Sequence, residues 1–184
     1  MVGIRALMRI DLRVHAAVAA AAFAALGSVP ACAQSPATQP PAPSTCMTAQ
    51  TAAATPVRVK APGGTLELRI ADTVSKREYG LMCVRSLPPR TGMIFVFSDG
   101  DNFRDFWMKN TLIPLDMVFV SKNGLVNQVR ANVPATKVDT PDEKIPHRDG
   151  TGSYVIELAA GEAGRAGIKP GTMLDVNAVP PSKE

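Results

Sequence analysis

From residue 65 onward apolar and polar positions alternate. Leu66, Leu68 and Ile70 stand against Glu67 and Arg69, the period-two signature of a strand with one wet face. Residues 92–97 are continuously apolar, which predicts a strand buried on both faces. Further strands are predicted over 103–108 and 115–120, the second running into Ser121, Lys122, Asn123 and Gly124. Asn-Gly between apolar runs predicts a tight hairpin, since both positions tolerate positive φ, with its return strand over 125–131. Residues 154–158 and 172–176 read as late strands, and the period-two rule is taken to turn Glu157 outward. Helical signals are brief. Ser75 followed by Glu78 has the form of a capping box, and Gly80 ends that helix. Thr140, Pro141, Asp142 and Glu143 form a second capping box, whose helix Pro146 limits to about one turn. Residues 161–167 predict a helical turn closed by glycine. Short strands at close spacing argue for a mainly β fold: a single domain over 57–179, built as a β-sandwich or partly closed barrel with short helices, then a tail at 180–184.

The first third of the chain is not domain-like. Arg5, Arg9 and Arg13 precede an apolar run that reaches Leu26, and Ala31, Cys32 and Ala33 follow. This is the layout of a secretory signal peptide over 1–33, cut after Ala33. The apolar centre is short of the roughly 20 residues that a membrane span needs, so no stable span is expected. A competing reading makes Cys32 a lipid-attachment cysteine, which Pro30 fits poorly. The sequence thus predicts a periplasmic or secreted protein. Residues 34–56 hold Pro36, Pro40, Pro41, Pro43 and Pro56 among Ala, Thr, Ser and Gln, a linker too poor in apolar area to fold. After cleavage Cys46 and Cys83 remain, and an oxidising compartment favours a disulfide between them over two free thiols.

Charge and composition mostly exclude. The formal net charge is +4, and removing the Arg-rich leader leaves about +2, too little for an electrostatic nucleic-acid footprint. Beyond the leader only His147 remains of two histidines, so histidine-rich metal sites are excluded, and no metal or cofactor is expected. Cys-x-x-Cys, a P-loop and a Gly-x-Ser-x-Gly elbow are all missing from the sequence.

What stands out is polar chemistry inside apolar frames. Trp107, the protein's one tryptophan, precedes Lys109 and Asn110, and Asp116 opens the next strand after Pro114 turns the chain. Arg77 and Arg85 flank the helix upstream. Arg77, Arg85, Trp107, Lys109, Asn110 and Asp116 can converge at one rim as a binding site for a small anionic or glycan ligand. Structural roles compete at each position: Trp107 as a core residue, Asn110 in a left-handed turn, Glu78 as a cap and Asp116 accepting from turn amides. An alternative is a hydrolase or lyase with Asp116 as general acid or base, Lys109 as electrostatic stabiliser and His147 as a second proton-transfer group. A third is a protein-interaction module that binds by an exposed sheet edge.

The blocks 77–82, 92–97, 106–116, 132–134 and 154–158 stand in the order of the bacterial and archaeal family known as domain of unknown function 192, which residues 64–177 resemble. That resemblance implies a mainly β, jelly-roll-like domain and assigns no reaction.

Overall fold

The alternating and continuous apolar segments fold as strands of one large sheet. The computed structural model describes residue 46 and residues 55–184, all within one compact unit, Pro40–Glu184. The signal segment, Cys32 and nearly all of the linker lie outside the described residues. Strands β1 (Val57–Ala61), β2 (Gly64–Ala71), β3 (Thr91–Val96), β5 (Leu115–Val120), β6 (Val126–Val133) and β8 (Tyr154–Ala159) form a six-stranded sheet in the order β1-β2-β3-β8-β5-β6. The β2–β3 pair is parallel, crossing over through helix α1 (Val74–Tyr79), and the other pairs are antiparallel. Strands β4 (Asn102–Trp107) and β7 (His147–Gly152) make a separate two-stranded sheet. A second short helix, α2, spans Glu162–Arg165. The architecture is mainly β and sandwich-like, and neither sheet among the described residues closes into a barrel. No helix among them is long and apolar enough to cross a membrane.

Both faces of the large sheet are covered, which is why β3, β5 and β8 read as apolar runs rather than alternations. On one face Leu66, Leu68, Ile94, Val118, Ile156 and Leu158 pack against Ala163, Ala166, Ile168 and Leu174. On the other, Met93, Phe95, Met117, Phe119 and Val155 pack against Leu81, Val84 and Met108, with Phe106 of β4 wedged edge-on to Phe95 at 4.9 Å between ring centroids. The small sheet is joined to the large one through side chains of β6. Asn127 donates to the Thr151 carbonyl at 2.8 Å, Gln128 accepts from the Thr151 amide at 2.8 Å, and Arg130 donates to the Asp149 carbonyl at 2.8 Å.

Several expectations are corrected. Strands β1 and β7 stand outside the expected set, although β1 does alternate, with Val57 and Val59 buried and Arg58 and Lys60 exposed. In β7 the reason is physical: a Cβ on Gly150 would lie 2.4 Å from the Phe119 ring, so the strand must be glycine-rich to lie this close to the sheet. Residues 172–176 make only isolated bridges, Lys60 to Asp175 beside edge strand β1 and Leu125 to Met173 beside the opposite edge strand β6, so they extend neither edge as a strand. Helix α1 is capped by Thr73, whose hydroxyl accepts from the Lys76 amide at 3.4 Å, and Ser75 lies inside the helix. The helix does stop at Gly80. Thr140 makes no capping box either: its hydroxyl bonds within the preceding turn to Lys137, and Asp142–Lys144 form one 3-10 turn. In the β5–β6 hairpin only Gly124 has positive φ, 91°, and Asn123 instead accepts from the Leu125 amide. Residues 180–184 are docked: the Lys183 amide donates to the Asp72 carbonyl and its ammonium pairs with the Asp72 carboxylate, each at 2.9 Å.

Candidate functional site

The turn after β4 is anchored by backbone and side-chain hydrogen bonds. Met108 is fully buried beneath it, the Met108 amide donates to the Pro146 carbonyl at 3.0 Å, and its carbonyl accepts from the Thr136 hydroxyl and the Thr111 amide. Asn110 sits at φ 50°, the left-handed region that asparagine tolerates better than most residues. Its carbonyl accepts from the Cys83 amide at 2.9 Å. Cys83 is in turn bonded to Cys46, with Cα atoms 5.5 Å apart, so a covalently closed loop holds one side of the turn.

This anchoring sets Trp107, Lys109 and Asn110 opposite α1. Between them lies an open cleft of about 390 Å³, to which α1 presents Ser75, Glu78 and Tyr79. Trp107 is 41% exposed, so the expectation of a core tryptophan is corrected. The alternation of β4 turns Arg104 and Phe106 inward and leaves Trp107 on the outer side. The Lys109 ammonium lies 5.0 Å from the Trp107 ring centroid and pairs with Asp142 at 2.8 Å. Deeper in the same recess a cavity of about 30 Å³ is shared by Arg77, Tyr79, Phe106, Lys109, Thr111 and Glu157.

Glu157 carries a residue-level correction. It has the same parity in β8 as Val155 and faces inward, between Met93 of β3 and Met117 of β5, only 5% exposed. Burial pushes its carboxyl up to about 8, because removal from water penalises the ionised form. Charge inside an apolar strand was the signal that could have found it, and attention to parity would have given its face.

Of the six residues singled out in the sequence, four border this recess: Arg77, Trp107, Lys109 and Asn110. The Arg77 guanidinium is already engaged with the Val96 carbonyl at 3.0 Å, the Ser182 hydroxyl at 3.2 Å and the Phe97 ring. Arg85 lies elsewhere, exposed on a shallow groove of about 460 Å³ beside Glu67, Val84 and Pro88. Although larger, that groove has no aromatic among the described residues that line it. Asp116 is on the opposite face of the large sheet, 1% exposed, accepting from the amides of Asn132 and Ala163 at 2.9 Å each. It fastens a left-handed bulge in β6 and the start of α2, and it shares no cavity with Lys109. His147 pairs with Asp105 at 2.8 Å on the outer face of the small sheet, its ring 6.3 Å from that of Trp107. Among the described residues no three histidine, cysteine or acidic side chains are grouped to hold a metal.

The sequence profile of domain of unknown function 192, described as "Uncharacterized ACR", matches residues 57–176. Two solved structures are similar. A candidate transcription regulator from Sinorhizobium meliloti 1021 is 34% identical with a TM-score of 0.54, over 65% of this chain and 90% of that one. A protein of unknown function from Novosphingobium aromaticivorans DSM 12444 is 34% identical with a TM-score of 0.53, over 65% of this chain and 83% of that one. No curated protein matches.

Proposed function

We propose, for a chain that belongs to the family of domain of unknown function 192, a binding role without catalysis: an exported domain of the cell envelope whose cleft between α1 and the 107–110 turn takes a neutral glycan. One observation carries the reading, the exposed Trp107 at the mouth of the cleft. An aromatic face beside amide, hydroxyl and charged groups suits a sugar, which stacks its C–H face and hydrogen-bonds its rim.

Anionic ligands are less well served. Arg85 is in another groove, Arg77 is engaged by the fold, Lys109 is paired with Asp142, and Glu78 stands at the rim. The placement of Asp116 on the opposite sheet face gives the hydrolytic alternative no support. The name of the Sinorhizobium protein does not transfer easily, since α1 and α2 have six and four residues, short for a helix that reads a DNA groove. Export is supported by the Arg-rich, apolar leader and by the Cys46–Cys83 disulfide.

Because Trp107 is the sole tryptophan, its fluorescence reports directly on the cleft. Titration with a panel of neutral and anionic oligosaccharides is expected to give saturable changes with neutral members. Lys109→Ala and Asn110→Gly should each weaken that response about tenfold, or 1.4 kcal/mol, with little change in melting temperature. A wild-type protein indifferent to every neutral member would overturn the proposal. Intact mass of the mature chain tests export, with loss of residues 1–33 as the expected result.

A further inference from the structure

Glu157 lies mid-strand in a central position of the large sheet, where an apolar side chain would pack at lower cost. Its cross-strand neighbours, Met93 and Met117, are uncharged. Among the described residues no hydrogen bond or ion pair reaches its carboxyl, and burial alone shifts its ionisation. Among the described residues no side-chain oxygen is both sealed from solvent and without a partner, so this carboxyl opens onto the adjoining cavity rather than onto closed protein. The fold draws no bond from this carboxyl, yet the carboxyl borders the cavity at the floor of the cleft.

The surroundings select what could meet it. The space of about 30 Å³ admits a group the size of water or a hydroxyl. Arg77 and Lys109 border the same space, so a ligand ammonium would meet two cations there. A carboxyl that stays neutral near pH 7 both donates and accepts, matching a hydroxyl, which does the same. Tyr79, Glu78 and the mouth of the cleft connect this floor to Trp107.

We infer that Glu157 is the deep specificity-determining contact of the cleft and takes one sugar hydroxyl or hydroxymethyl group into the cavity. The inference rests on the glycan-binding reading and adds the contact that would discriminate among sugars. Glu157→Gln keeps a neutral donor and acceptor in place, whereas Glu157→Met fills the site with an apolar chain like its neighbours.

The test is the same Trp107 fluorescence titration on the mature protein, with the neutral oligosaccharide panel as probe and melting temperatures measured in parallel. Glu157→Gln is expected to bind within about threefold of wild type, and Glu157→Met to bind at least about tenfold more weakly while melting no lower than wild type. Glu157→Met with wild-type affinity overturns the inference and leaves the glycan reading intact. Both variants melting far below wild type would make Glu157 architectural and overturn it as well. A wild type that answers to no neutral member sinks both.

Discussion

Asp116 and Glu157 occupy neighbouring strands, one carboxylate on each face of the same sheet, and their surroundings give them opposite behaviour. Asp116 accepts two backbone amides, so Asp116→Asn, which sets a donor against at least one of them, should cost about 2–4 kcal/mol. Thermal melts would show this as a clear drop, and an unchanged melt would contradict the fastening role. Glu157 predicts a pH dependence. The unfolded chain releases this proton near 4.5 and the folded chain near 8. Its contribution to stability is therefore full below about pH 4.5 and is lost progressively as pH rises to about 8, on the order of a few kcal/mol in all. The titratable groups facing it across the cavity are Arg77, Glu78, Tyr79 and Lys109, while β3 and β5 present only methionine. Glu157→Gln should flatten that decline, so its melting temperature should exceed wild type more at pH 9 than at pH 5. A difference independent of pH would refute the assignment. Trp107→Ala, which removes a side chain exposed at 41%, should cost well under the roughly 3–5 kcal/mol of a core aromatic.

Among the elements, β7 depends most on its glycines. Gly150→Ala would place a Cβ 2.4 Å from the Phe119 ring, and moving ring or strand apart should cost about 1–3 kcal/mol. Gly164 in α2 is the contrast, since a Cβ there meets nothing within 4 Å and its φ is not positive. Gly164→Ala should therefore stabilise by about 0.5–1 kcal/mol through the lower entropy of the unfolded chain. Denaturant midpoints of the two variants should move in opposite directions, and movement in the same direction would contradict the packing described for β7.

For the molecule as a whole, the Cys46–Cys83 bridge connects residue 46, ahead of β1, to the cleft. It closes a separation of 37 residues, for which loop entropy gives an upper figure of about 4 kcal/mol. Through the Cys83 amide it also supports Asn110. Reduction, or Cys83→Ser, should lower stability by up to that amount and weaken cleft binding while the domain stays folded. Retained affinity in the reduced protein would separate the bridge from the cleft.

The strands β2, β3, β5 and β8 were legible in the chain because apolar periodicity follows directly from burial on one face or two. The stop of α1 at Gly80 was legible for a local reason, since only a residue without Cβ takes that backbone turn easily. The cluster at 107–110 was likewise visible as polar chemistry out of place. What the periodicity could not reveal was which layer covers which face. That depends on β7, a polar and glycine-rich strand with no periodic signature, and on side chains of β6 that reach it across a gap. Strand β4, paired to β7, leaves Trp107 outside, Phe106 and α1 border the cavity beside Glu157, and α2 claims Asp116 for the opposite face. The sequence therefore determined which residues were chemically unusual, and only the tertiary packing decided which of them share a cavity, because sharing is fixed by contacts between segments far apart in the chain.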